Sequence, residues 1–228
     1  MPSNLRSTVI VASTILVFLI IISSIYVYKS FINGGEEGNK IEKYGSVLSY
    51  DPPIQFQRIQ VNSSEGPIEF PLRGKLNIVT PQYLGCPDIC PLESLMMKYV
   101  MNKLIQDGLE DQVVFVTVDV DPEEDTVPSV TNYMKAQAGD LLENGITWIW
   151  IVDSKDRMST VWDELSIYVE KDEETGLVTH TGGFYIISPD GELLYFVSPS
   201  SSGWEKPDKF APLLYDTILD ALERTGGG

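Results

Sequence analysis

Histidine is nearly absent from this 228-residue chain, which carries one, and cysteine is almost as scarce, with two. A single imidazole excludes the two-histidine, one-carboxylate iron centres that activate oxygen. Two cysteines are too few for the multiple disulfides that staple small secreted domains. Cationic side chains are also in short supply: 16 Lys and Arg face 33 Asp and Glu, for a net charge of -17. Such a surface repels phosphate backbones, so no nucleic acid is expected as a partner. There is no glycine-rich phosphate loop and no internal repeat, and the lone histidine offers no Ser-His-Asp arrangement.

One long apolar run is present. Thr8–Tyr28 (TVIVASTILVFLIIISSIYVY) has 21 residues without a charge. At 1.5 Å per residue it spans about 31 Å, matching a bilayer core of ~30 Å. Tyr26 and Tyr28 lie at one end, where an aromatic belt belongs. A cleaved signal peptide has a shorter apolar core ending in a small-x-small site, whereas this run ends in Tyr, Val and Lys. Residues 1–29 therefore read as a single transmembrane anchor, with the membrane contact at residues 8–28. Counting Lys29, Lys40 and Lys43 after the span against Arg6 before it leans toward a cytoplasmic C-terminal side. Residues 30–50, polar and carrying Gly34-Gly35-Glu36-Glu37-Gly38, read as a flexible tether. Residues 51–225 remain for one domain with a sizeable core.

Within that domain, period-two alternation at Phe56–Val61 and Ile68–Phe70, around the turn-forming Asn62–Pro67, predicts a β-hairpin. A short strand follows at Leu76–Thr80. Apolar residues at Leu92, Leu95, Met96, Tyr99, Val100 and Leu104 give helical spacing, closed by Gly108. Val113–Val118 and Ile146–Val152 are continuous apolar runs, as in strands buried on both faces. Between them Asp125 is placed to cap a second helix, and Met158–Ile167 forms a third. Phe184–Ser188 and Leu193–Val197, joined by Pro189-Asp190-Gly191-Glu192, make a second hairpin, and a last helix covers Asp208–Arg224. The order predicts an α/β thioredoxin-like fold with an N-terminal β-hairpin, preceded by the transmembrane helix.

Both cysteines fall in Gly85-Cys86-Pro87-Asp88-Ile89-Cys90-Pro91, at the junction of a strand with a helix. Pro91 suits a first helical turn. Cys90 therefore sits near a helix N-terminus, where the macrodipole favours its thiolate. Two held thiolates suit Cu(I), Zn(II) or a reversible disulfide. In a thioredoxin-like fold the loop before the next-to-last sheet strand packs beside the Cys loop, and His180 occupies that position. Cys86, Cys90 and His180 then make a three-donor set, which suits trigonal Cu(I) better than structural Zn(II), which takes four ligands. Met97 and Met101 form a second stripe on the Cys helix and read as core filler. Asp121, Glu123, Glu124 and Asp125 read as a solvated, helix-capping loop. Asp88 reads as a turn cap.

These residues resemble the Sco/SenC copper proteins, which help assemble cytochrome c oxidase. The likeness rests on three ordered motifs: Cys86–Pro91 (CPDICP), Val118–Thr126 (VDVDPEEDT), and His180 ahead of Tyr185–Gly191 (YIISPDG). It covers roughly residues 50–224. The resemblance implies a single-pass membrane protein with its domain on the extracytoplasmic side, overriding the charge count. It also implies Cys86, Cys90 and His180 as copper ligands, and a metallochaperone rather than an enzyme. The partner would be the copper-site subunit of a terminal oxidase, and the resemblance does not say which protein donates the copper. The alternative activity on the same Cys pair is thiol–disulfide reduction of the oxidase's copper-ligand cysteines. The sequence departs from the family at Glu124, where Arg is usual, at Thr179, where Asp commonly precedes the histidine, and at Pro81–Gly85.

Overall fold

The computed structural model describes residues 39–226. The expected anchor and residues 30–38 of the tether lie outside the described residues. Among the described residues no helix is long and apolar enough to cross a membrane.

Three parallel strands form the centre: β5 (Leu76–Gln82), β6 (Val113–Asp119) and β7 (Trp148–Ile151). Every residue in them is buried, because helices cover both sheet faces. Alternation sorts the side chains. Ile78, Val113, Phe115, Trp148 and Trp150 point to a layer made by α1 (Ile89–Asp107), α2 (Val127–Glu143) and α5 (Pro207–Arg224). Val79, Val114, Val116, Ile149 and Ile151 point to the layer of α3 (Lys155–Leu165). Two buried faces explain why these strands read as unbroken apolar runs.

Flanking strands complete a nine-stranded sheet in the order β1 (Asn39–Glu42), β2 (Gly45–Gln55), β11 (Glu192–Pro199), β10 (Phe184–Ile187), β5, β6, β7, β3 (Ile59–Ser63) and β4 (Gly66–Phe70). The expected hairpins appear as β3 with β4, and as β10 with β11. Both β10 and β11 run antiparallel to their neighbours. A separate two-stranded ribbon, β8 (Val169–Lys171) with β9 (Val178–His180), precedes β10. The short α4 (Ser201–Glu205) links β11 to α5.

Two sequence expectations are corrected. Much of the tether is structured: β1 (Asn39–Glu42) and β2 (Gly45–Gln55) pair with each other, and β2 pairs along β11. The polar composition hid this, since along β2 little beyond Val47 reaches the core. Gly45 is required there: a Cβ on it would lie 2.7 Å from the Phe210 ring and 2.8 Å from the Ser198 carbonyl. The second correction concerns α2. Its N-cap is Thr126, which forms a reciprocal capping box with Ser129. Asp125 is thereby free for another partner.

Met97 and Met101 are fully buried against the central sheet, as core residues. Met97→Ala should therefore cost about 2–5 kcal/mol, and the volume-conserving Met97→Leu less than about 1.5 kcal/mol. Urea unfolding of the two variants measures both.

Candidate metal centre

Cys86 lies on the loop between β5 and α1, and Cys90 is in the first turn of α1. Both are free thiols, Cys86 half-buried and Cys90 buried. His180 ends β9. Folding closes a 90-residue separation and brings His180 Nε2 to 3.5 Å from Cys90 Sγ. The two sulfurs and an imidazole nitrogen all lie within 4.8 Å of one another. A trigonal ion with bonds of ~2.3 Å to sulfur and ~2.0 Å to nitrogen places its donors about 3.7–4.0 Å apart. The triad stands within about 1 Å of that spacing.

The imidazole is oriented on its far side. Nδ1 lies 2.9 Å from the Thr181 carbonyl, which accepts its proton and leaves Nε2 facing the sulfurs. The Tyr83 ring meets the imidazole edge-on at 5.8 Å. Tyr83 also accepts, through its hydroxyl, the Val178 backbone N–H at 3.1 Å, tying the Cys loop to β9.

The two thiols are unequal, and not in the sense the macrodipole predicts. The backbone N–H of Cys90, one of the unpaired donors at the helix start, points to Cys86 Sγ at 3.4 Å. Donation from the Cys90 thiol, then from His180 and that backbone amide, draws the Cys86 pKa down to about 4. The hydrogen bond to Cys86, burial, and the nearby Glu93 push the Cys90 thiol well up. The groups around the pair therefore favour the thiolate on Cys86 over Cys90. Burial works against a charged His180, yet the Cys86 thiolate, Glu93 and the Thr181 carbonyl outweigh it and raise its pKa.

The sequence reading missed the groups that hold these donors. Glu93 is fully buried one helical turn after Cys90. Its Oε1 accepts the Gly183 N–H at 2.9 Å, joining the helix that carries Cys90 to the segment that carries His180. Gln82 donates to the Cys90 carbonyl at 3.2 Å and to Glu93 Oε2 at 3.4 Å. Burial raises the Glu93 pKa to about 8, against the pull of His180 and its hydrogen bonds. An acid three positions from a ligand on one helix face was the available signal. Asp125, expected as a cap, accepts the Leu84 N–H at 2.8 Å, two residues before Cys86. Asp88 is the N-cap of α1 by position but makes no side-chain cap hydrogen bond. Thr179, in the position where the resembled family commonly has Asp, is exposed.

In the metal-free dithiol form, Cys86 should alkylate with a pH midpoint well below 7, because its lowered pKa leaves it a thiolate at neutrality. Cys90 should stay unreactive there. Mass spectrometry after iodoacetamide pulses across pH 4–9 tests the asymmetry; equal labelling would contradict it.

The SCO1/SenC family model matches residues 63–211. The chain is 33% identical over 128 residues to "Protein SCO1 homolog 1, mitochondrial" of Arabidopsis thaliana, covering 55% of this chain and 36% of that relative. It thus spans about a third of the length of that curated relative. Its fold matches the crystal structure of Arabidopsis thaliana ScoI with copper bound, with a TM-score of 0.57 and 23% identity over 74% of this chain and 98% of that one. It also matches the structure reporting a disulfide switch in BsSco, described as a member of the Sco family of cytochrome c oxidase assembly proteins. There the TM-score is 0.51 and the identity 18%, over 70% of this chain and 94% of that one. The chain belongs to the SCO1/SenC family.

Proposed function

We propose that this domain carries a single copper ion between Cys86, Cys90 and His180 and hands it to the copper-site subunit of a terminal oxidase. The observation that carries this reading is the convergence of two thiol sulfurs and one imidazole nitrogen within 4.8 Å. Two soft sulfurs, one borderline nitrogen and three-coordination favour Cu(I). Three-coordination also leaves room for an incoming thiolate of the partner to bind before a resident one leaves. Copper bound in the Arabidopsis ScoI structure supports the choice of ion, and the oxidase-assembly description of BsSco supports the partner. Residues 8–28 would anchor the chain in a membrane as a single-pass protein, with residues 51–225 on the extracytoplasmic side.

A second reading draws on the lowered Cys86 pKa. An accessible thiolate beside a buried thiol is the arrangement of a dithiol reductase. Cys86 would attack a partner disulfide to form a mixed disulfide. Cys90 would then displace the partner thiolate, leaving the Cys86–Cys90 disulfide and a reduced partner. His180 serves this route only by helping to lower the Cys86 pKa, whereas copper carriage uses as a donor the Nε2 that its ring is held to present to the sulfurs, and is the better account.

Cu(I) titration of the reduced protein should give one ion per chain, with X-ray absorption showing two sulfurs and one nitrogen. His180→Ala should weaken binding at least tenfold, since even outer-shell losses cost about 10–100-fold. Unchanged affinity and spectrum in that variant would sink the three-donor site. A reduction potential near ~-270 mV without copper affinity would favour the reductase.

A further inference from the structure

We propose that Lys171 is a positioning residue for His180, acting by docking the β8–β9 ribbon onto Asp121. The inference rests on the reading of His180 as a metal ligand.

The ribbon makes no ladder with the nine-stranded sheet. Two strands alone are marginal in water, so contacts with the rest of the domain must fix where its imidazole points. Its register pairs Val169 with His180 and Lys171 with Val178. Residues directly opposite, and residues two apart along a strand, share a face. Lys171 and His180 are therefore diagonal neighbours on one face of the ribbon. The face that offers the imidazole to the sulfurs also offers an ammonium to the protein body.

That ammonium lands on a built receptor. Lys171 Nζ lies 2.7 Å from Asp121 Oδ1, and the Asp121 side chain is only 7% exposed. Glu124 is a second, looser partner at 3.8 Å, while Glu123 is engaged by Lys155 at 3.1 Å. A carboxylate as buried as Asp121 needs a compensating cation, which separates this pair from exposed pairs of negligible worth. The turn beneath is pinned by its own hydrogen bonds. Asp121 donates its backbone N–H to Asp119 Oδ1 at 2.8 Å, and its carbonyl accepts from Glu124 and Asp125, each at 3.0 Å. Asp119 is fully buried and accepts the Trp150 indole N–H at 2.8 Å. From the same turn Asp125 accepts the Leu84 N–H of the Cys loop. One turn, residues 119–125, thus indexes both ligand-bearing segments: Leu84 through Asp125, and the ribbon through Asp121 and Lys171. The acidic run read from sequence as a solvated loop becomes a jig for the site.

The test compares Lys171→Met, Lys171→Arg and His180→Ala in the full chain. Each is followed by hydrogen exchange of the ribbon amides without copper, Cu(I) affinity in reducing conditions, and the nitrogen contribution to the copper X-ray absorption. Lys171→Met should speed exchange across residues 169–180 with the central strands unaffected. It should lower Cu(I) affinity roughly tenfold, as loss of an outer support does, and weaken the nitrogen signal. Lys171→Arg should restore all three. Should the charge on Asp121 perturb the turn once Lys171 is gone, Lys171→Met/Asp121→Asn removes both charges and must show the same faster ribbon exchange. Unchanged exchange or unchanged copper affinity in Lys171→Met, with His180→Ala impaired, overturns the latch alone. A silent His180→Ala overturns the proposal through the reading on which it rests.

Discussion

An approach of 3.5 Å between a histidine nitrogen and a cysteine sulfur 90 residues away is the constraint that organises this domain. The two side chains arrive from different elements, one from the first turn of a helix and the other from a strand that lies outside the main sheet. Neither ladder hydrogen bonds nor a shared helix fixes their separation. Position has to come from groups beneath the site: Glu93 bonded to Gly183, Tyr83 bonded to Val178, and Asp125 bonded to Leu84. Each spans two segments of distant sequence. Each also satisfies a backbone amide near the site, and such amides are costly to leave without partners. The polar groups around the sulfurs are therefore structural members as well as electrostatic ones.

The same groups divide the two thiols. A helix start offers several unpaired N–H donors, and the amide of Cys90 turns toward the sulfur of Cys86 instead of its own. Cys90 is left in apolar company with Glu93 close by, which disfavours negative charge. Cys86 is also the more exposed of the two sulfurs, so it is the one open to contact from outside the domain.

Much of this was legible in the chain. CPDICP between a strand and a helix, the two apolar runs at Val113–Val118 and Ile146–Val152, and the Pro-Asp-Gly turn before β11 each carry local physics strong enough to survive tertiary context. His180 was legible by its place before β10. The supports were not, for identifiable reasons. The Lys171 and Asp121 pair is 50 residues apart, and either residue alone reads as solvent-facing. Asp125 sits where a cap belongs, but Thr126 with Ser129 fills that role at the next position. Residues 45–48 look like linker because their strand buries little and Gly45 is there to clear Phe210. Helix-dipole reasoning weighed the direction of the field and not which sulfur the Cys90 amide faces, and that amide faces Cys86.

Strand β1 begins at Asn39 and β2 runs to Gln55 along β11, so this border of the sheet is made by residues that precede the family match, which opens at residue 63. A fragment begun at residue 51 would lose β1 and the half of β2 that pairs Tyr195–Pro199. The backbone of β11 would then stand as a bare edge, open to pairing with another molecule. One begun at residue 39 keeps that edge covered.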